Sequence, residues 1–162
     1  MTNTREAPLC ATRLRAVVEA ATPRLLALPA DAVRRRAGPD RWSTVEVIGH
    51  LIDSASNNHH RFVRAMDQND LVFAGYAQDD WVSRQHYQSV PWPEIVTFWQ
   101  LYNRQLARVM SAVPSDVRTR THDLHNLHRI AFRPVPEGNE TSLDYFMHDY
   151  VDHLEHHLAQ VL

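Results

Sequence analysis

The chain contains no lysine; all seventeen of its basic residues are arginine. That bias carries no functional reading by itself. Cysteine is almost absent as well. Cys10 stands alone, so no disulfide can close within the chain, and a reducing cytoplasm is the expected setting. Neither sign of charge dominates: the net charge is −2 with histidines neutral, which leaves no electrostatic footprint for nucleic acid. No apolar run approaches the length of a membrane span. The opening residues, Met1 to Pro8, lack the basic-then-apolar order of a secretory signal. Nucleophile-elbow, phosphate-loop and dinucleotide-binding motifs are missing, which disfavours those chemistries. There are no internal repeats and no low-complexity segments.

The bulk of the composition is that of a globular chain, with 44% hydrophobic and 22% charged residues. A length of 162 residues suffices for one domain with a real core, taken as residues 1–162. Histidine is the abnormal count, at eleven. Apolar residues recur at helical spacing in four stretches. Residues 9–28 carry the first, with Leu14, Val17, Val18, Ala21, Leu25 and Leu26 on one stripe and Pro23 placed to kink or split the last turn. Ser43-Thr-Val-Glu46 is a capping box opening a second helix that reaches about residue 68. Residues 69–90 read as a long loop holding a short helix near Asp79–Tyr87. Pro91 and Pro93 open a third helix, which Pro114 ends. Residues 115–141 read as polar loop, with Arg129-Ile-Ala-Phe132 the one strand candidate, and Thr141 or Ser142 caps a last helix. Four long amphipathic helices predict an all-α, antiparallel four-helix bundle with long inter-helix loops.

Within the last helix, His153 and His157 lie four residues apart, about 40° from each other around the axis. By this spacing one helix offers two imidazoles to a single metal ion. Asp149 and Gln160 share that face, and Phe146 and Tyr150 continue it beside an apolar seam that would turn it inward. His156 sits about 100° from His157 and is read as packing beside the site. On the second helix, His50 stands in line with Asp53, Asn57, Arg61 and Arg64. Such a line is costly to bury without partners, so it should face water or line a polar cavity. His122, His125 and His128 fall in a loop-like segment where steps of three fix no shared direction. They are read as structural, like His59, His60, His86 and His148. Cys10 reads as a core or idle thiol, and Arg34 to Arg36 as solvated surface.

The segment Arg41-Trp-Ser-Thr-Val-Glu-Val-Ile-Gly-His-Leu-Ile-Asp-Ser54 resembles the Gly-His-Leu-x-Asp-Ser stretch of the DinB-like superfamily, and within it the YfiT-type metalloenzymes. Tyr76-Ala-Gln-Asp-Asp-Trp81 and the block from Glu137 to Gln160 are similar to that family's following segment and closing helix. The likeness covers about residues 39–82 and 137–162. In that family one histidine of the second helix and two of the last hold a metal. Carried over, the ligands are His50, His153 and His157, and the family's Asn and Arg fall on Asn57 and Arg61.

Three neutral imidazoles leave a coordination position open, the arrangement of a catalytic site rather than a structural one. All-nitrogen ligation suits zinc or nickel, and such an ion can acidify a bound water or thiol. Asp149 and Asp53 are candidates to orient an imidazole or act as a base. Asn57 and Arg61 are candidates to hold an anionic or carboxylate-bearing substrate. For these four, the alternative is a network that only satisfies the bundle interior. The expected function is a divalent-metal-dependent enzyme acting on a small molecule, by S-transfer of a low-molecular-weight thiol such as bacillithiol or mycothiol. The alternatives are a metal-dependent hydrolase and a non-catalytic, stress-related metal-binding protein. A homodimer is implied by the resemblance alone; no nucleic-acid or membrane partner is expected.

Overall fold

The computed structural model describes residues 7–162; most of the opening segment read for a targeting signal lies outside them. Four long helices make the frame: α1 (Leu9–Leu26), α2 (Thr44–Ala65), α4 (Trp92–Ala112) and α7 (Leu143–Val161). Between α2 and α4 comes the short α3 (Gln78–Gln85), and between α4 and α7 come α5 (Ser115–Thr119) and α6 (Leu127–Ile130). The chain therefore forms the four-helix bundle that its periodicity predicts. No described helix is long and apolar enough to cross a membrane.

The capping box at the start of α2 is complete. Ser43 accepts from the Glu46 N–H, and the Glu46 carboxylate accepts from the Ser43 N–H at 2.9 Å. Glu46 is also buried against Arg36 of the preceding connection. Burial works against its charge, but Arg36 and Ser43 outweigh that and hold its carboxyl at about 2. Pro23 does not split α1. Only its final turn follows, and the Ala27 N–H still donates to the Pro23 carbonyl at 3.1 Å. The strand expected over residues 129–132 is absent: α6 takes up Leu127–Ile130. Pairing falls instead between β1 (Thr121–His122) and β2 (Thr141–Ser142), antiparallel, with Thr121 opposite Ser142 and His122 opposite Thr141. Strands of two residues carry no alternation for a sequence to show.

Contacts along the helices fix their directions. Trp92 at the start of α4 donates to the Leu25 carbonyl at the end of α1, so these two run antiparallel. In α2 and α7, His50 meets His153 while Phe62 meets Phe146, which makes a second antiparallel pair. The pairs join with α1 and α7 running the same way, since Cys10 touches Met147 and Arg24 reaches Leu162. The connections of 69–91 and 113–142 are long enough to permit this order. The core fills the middle, with Trp99, Phe62, Phe146, Leu14 and Met110 fully buried.

Gly49 marks where α2 receives the segment after α3. A Cβ at this position would lie 2.1 Å from the Tyr87 ring, so only glycine lets that ring reach the helix backbone. Gly49→Ala should cost about 1–3 kcal/mol by overpacking, read from chemical denaturation. In a Tyr87→Ala background the same change should become neutral or favourable by roughly 0.5–1 kcal/mol, because alanine is the better helix former. An equal cost in both backgrounds would show that Tyr87 is not the obstacle.

Candidate metal centre

The antiparallel contact of α2 with α7 brings His50 against His153 and His157. Ligand-type nitrogens of the three lie within 4.8 Å of one another. The Nε2 atoms of His50 and His153 are 3.2 Å apart. The His157 ring lies 4.8 Å from that of His50 and 4.6 Å from that of His153, centre to centre. Imidazole nitrogens about 2.0–2.1 Å from a tetrahedral ion stand roughly 3.3–3.4 Å apart, so the observed spacing suits one ion with little movement.

Protonation state agrees with this geometry. His50 is fully buried, and desolvation, with the neighbouring His157, pushes its pKa down to about 3. His153 falls to about 3 by burial and by the adjoining imidazoles. His157 is lowered too, chiefly by burial, with Gln160 opposing. All three are neutral near pH 7 and hold lone pairs to donate. Two of the tautomers are set from behind, while Nδ1 of His50 is buried with no partner. Gln160 Oε1 lies 3.0 Å from Nδ1 of His157, so that nitrogen carries the proton and Nε2 is left bare. Ser54 Oγ stands 3.5 Å from Nδ1 of His153 and serves the same end. Trp42 packs on the outer side of His50, with ring centres 4.8 Å apart. The residues present fit a divalent ion.

Beside the triad lies a cavity of about 300 Å³, walled from α2 by Ser54, Asn58 and Arg61 and from α7 by Asp149, Tyr150 and His153. Asp149 is placed in the wall, but both carboxylate oxygens are taken, accepting from the backbone N–H groups of Phe132 at 2.8 Å and Arg133 at 2.6 Å. Asp53 points away from the cavity, where its Oδ1 accepts from Gln85 and from the Tyr87 hydroxyl, each at 2.7 Å. Neither aspartate hydrogen-bonds a triad histidine. Asn57 turns back on its own helix, donating to the Asp53 carbonyl, and is not in the wall. Its neighbour Asn58 is, and sequence reasoning passed over it. Of the two outcomes left open for its polar line, facing water or lining a polar cavity, Arg61 takes the second. His156 borders the same space against the Phe132 ring, outside the ligand triad.

The remaining histidine cluster ties loops. His122 Nδ1 meets the Asn69 carbonyl at 3.0 Å, and His125 Nε2 meets that of Asn139 at 2.8 Å. Cys10, Asp144 and His148 also gather closely. There, burial and Asp144 push the Cys10 thiol up to about 11, and Asp144 is ion-paired with Arg118, so the thiol stays protonated.

Residues 13–161 match the DinB superfamily. The chain belongs to that superfamily. Among solved structures this DinB member resembles YfiT from Bacillus subtilis, with a TM-score of 0.72, 15% identity, and coverage of 93% of this chain and 80% of that one. YfiT is described as having an unusual four-helix bundle topology, and at this identity the likeness shows the fold alone. A protein of Bacillus mycoides (strain KBAB4) is 25% identical over 121 residues, which is 74% of this chain. The match spans 62% of that protein's length. Both relatives carry provisional assignments as metal-dependent hydrolases.

The depressed imidazole pKa values set a pH dependence for the metal-free protein. An unfolded histidine takes its proton near pH 6.5, whereas folded His50 and His153 do so only near 3. Between these values the unfolded chain binds more protons, so stability is full above about 6.5 and is lost as pH falls toward 3. Urea melts of chelator-treated protein should show this slope, and His50→Gln should flatten it. A wild-type stability that does not change over this window would contradict neutral burial of the pair.

Proposed function

We propose that this DinB-superfamily protein is a divalent-metal-dependent hydrolase of a small molecule, with His50, His153 and His157 as the metal ligands. The observation that supports it most is the convergence of three neutral imidazoles on one point at the edge of a cavity. A divalent ion held there supplies a Lewis acid that lowers the pKa of a bound water. Zinc or nickel suits the all-nitrogen set. A volume of about 300 Å³ fits a small substrate.

The chain's own residues do the rest. Gln160 and Ser54 hold the tautomers of His157 and His153, and Trp42 packs on the His50 ring. Asp149 is read as a positioning residue, since its oxygens anchor the Phe132–Arg133 segment over the cavity. Asp53 is read in the same way, as the acceptor that seats Tyr87 and Gln85 beside α2. The narrower expectation, sulfur transfer from a low-molecular-weight thiol, rests on the resemblance alone. Water is the nucleophile adopted here because the named relatives are assigned to hydrolysis.

Elemental analysis of untagged protein should find about one zinc or nickel per chain, lost in His50→Ala and in His153→Ala/His157→Ala. Chelation should abolish cleavage in a panel of small esters, amides and lactones, and re-addition of the metal should restore it. Transfer of a thiol to an electrophile, with no hydrolysis, would replace water by thiol as nucleophile. A wild-type protein that takes up neither metal would end the metalloenzyme reading.

Asp149→Asn separates positioning from proton transfer. Metal content should be unchanged, while the Phe132 and Arg133 amides should lose protection in hydrogen exchange. A base lost from the chemistry would instead remove the alkaline plateau of the rate profile and leave those amides protected.

A further inference from the structure

Arg61 shares the cavity with His153 and His157. It is 6% exposed, and among the described residues it makes no ion pair. Its Nη2 donates to the Ala74 carbonyl at 2.8 Å, and its Nη1 reaches Asn58 Oδ1 at 3.4 Å. Its Nε is buried with no acceptor. The Nε–H and the second N–H of each terminal nitrogen are thus unspent, in the planar fork that suits a carboxylate. The guanidinium lies over the Phe146 ring, with Cζ 5.9 Å from its centre. Burial lowers the pKa of Arg61 in part, but an arginine stays charged. An enclosed cation without a counter-ion is strongly unfavourable until an anion arrives.

The rest of the wall narrows the anion. Asp149 is buried in the same wall but gives both oxygens to backbone N–H groups, and Arg129 is exposed at the rim, so among the described lining residues Arg61 is the interior cation with no carboxylate partner. One charge suits a monoanion better than a dianion. Ile130, Phe132 and Tyr150 offer apolar surface for the remainder of a ligand. Arg61 is also linked to the triad. Asn58 donates to the Ser54 carbonyl at 2.9 Å and lies 3.4 Å from Ser54 Oγ, which in turn meets His153.

We propose that Arg61 receives the carboxylate of a small monocarboxylate substrate with an apolar body, whose reacting group then lies at the histidine centre. Placement of the reacting end rests on the metal-dependent reading above; the carboxylate end does not.

The probe is benzoate, titrated by calorimetry into zinc-loaded and chelator-treated protein, with neutral benzamide and inorganic phosphate as comparisons. Benzoate should bind in both states, and benzamide and phosphate should bind at least tenfold more weakly. Arg61→Gln should weaken benzoate about 10- to 100-fold, the scale of a lost charge-assisted pair. Arg61→Lys should keep part of the affinity, with circular dichroism confirming that both variants fold. Binding that requires zinc and survives Arg61→Gln would put the carboxylate on the metal and overturn the Arg61 site alone. Arg61-dependent binding in a protein that takes up no metal would uphold the anion site and remove the metal reading. Equal binding of benzamide, or tighter binding of phosphate, would overturn the proposal from the wild type alone.

Discussion

Placing three imidazoles out of water at the contact of α2 with α7 is the constraint on which the rest of this structure depends. Desolvation strips the proton from His50 and His153, and an unprotonated imidazole is a ligand where a protonated one is not. The facing Nε2 atoms of His50 and His153, 3.2 Å apart, share one proton in a hydrogen bond when no ion is bound, and a cation takes the place of that proton. Much of the nearby packing can be read as holding that contact. Gly49 lets Tyr87 press on the backbone beside His50, and Asp53 then accepts the Tyr87 hydroxyl. Trp42, from the connection before α2, packs on the His50 ring.

The long connections serve the cavity as well as the core, to which they add Leu71, Phe73 and Leu127. Asp149 on α7 gathers the backbone N–H groups that follow α6, and Asn126 pairs both ways with the backbone of Phe73. His122 and His125 fasten the same region to Asn69 and Asn139. Five of the eleven histidines thus have one of two physical causes. Some rings meet at the centre, and others satisfy carbonyls in loops that have little regular structure to satisfy them.

How much was legible in the sequence follows the strength of local signals. The capping box at Ser43 and the His153/His157 pair both depend on contacts within one helix, so spacing alone displayed them. The face of α7 was right as well: Phe146, Asp149, Tyr150 and His153 all line the cavity. On α2 the polar line was read roughly 60° off around the axis. The cavity side is that of Ser54, Asn58 and Arg61, while Asp53 and Asn57 lie on the flank toward α3. Periodicity gives a face to within a residue or so, and only the packing of α3 and Tyr87 decides between neighbours such as Asn57 and Asn58. The two-residue strands and the role of Asp149 as a loop anchor were beyond reach, because both depend on partners distant in sequence.

X-ray absorption at the zinc edge of the loaded protein tests the central claim most directly. The account predicts three imidazole nitrogens at about 2.0–2.1 Å, with the remaining coordination filled by oxygen. One imidazole should disappear in His50→Ala. A sulfur scatterer near 2.3 Å, or a spectrum that His50→Ala leaves unchanged, would place the ion somewhere other than the α2–α7 contact.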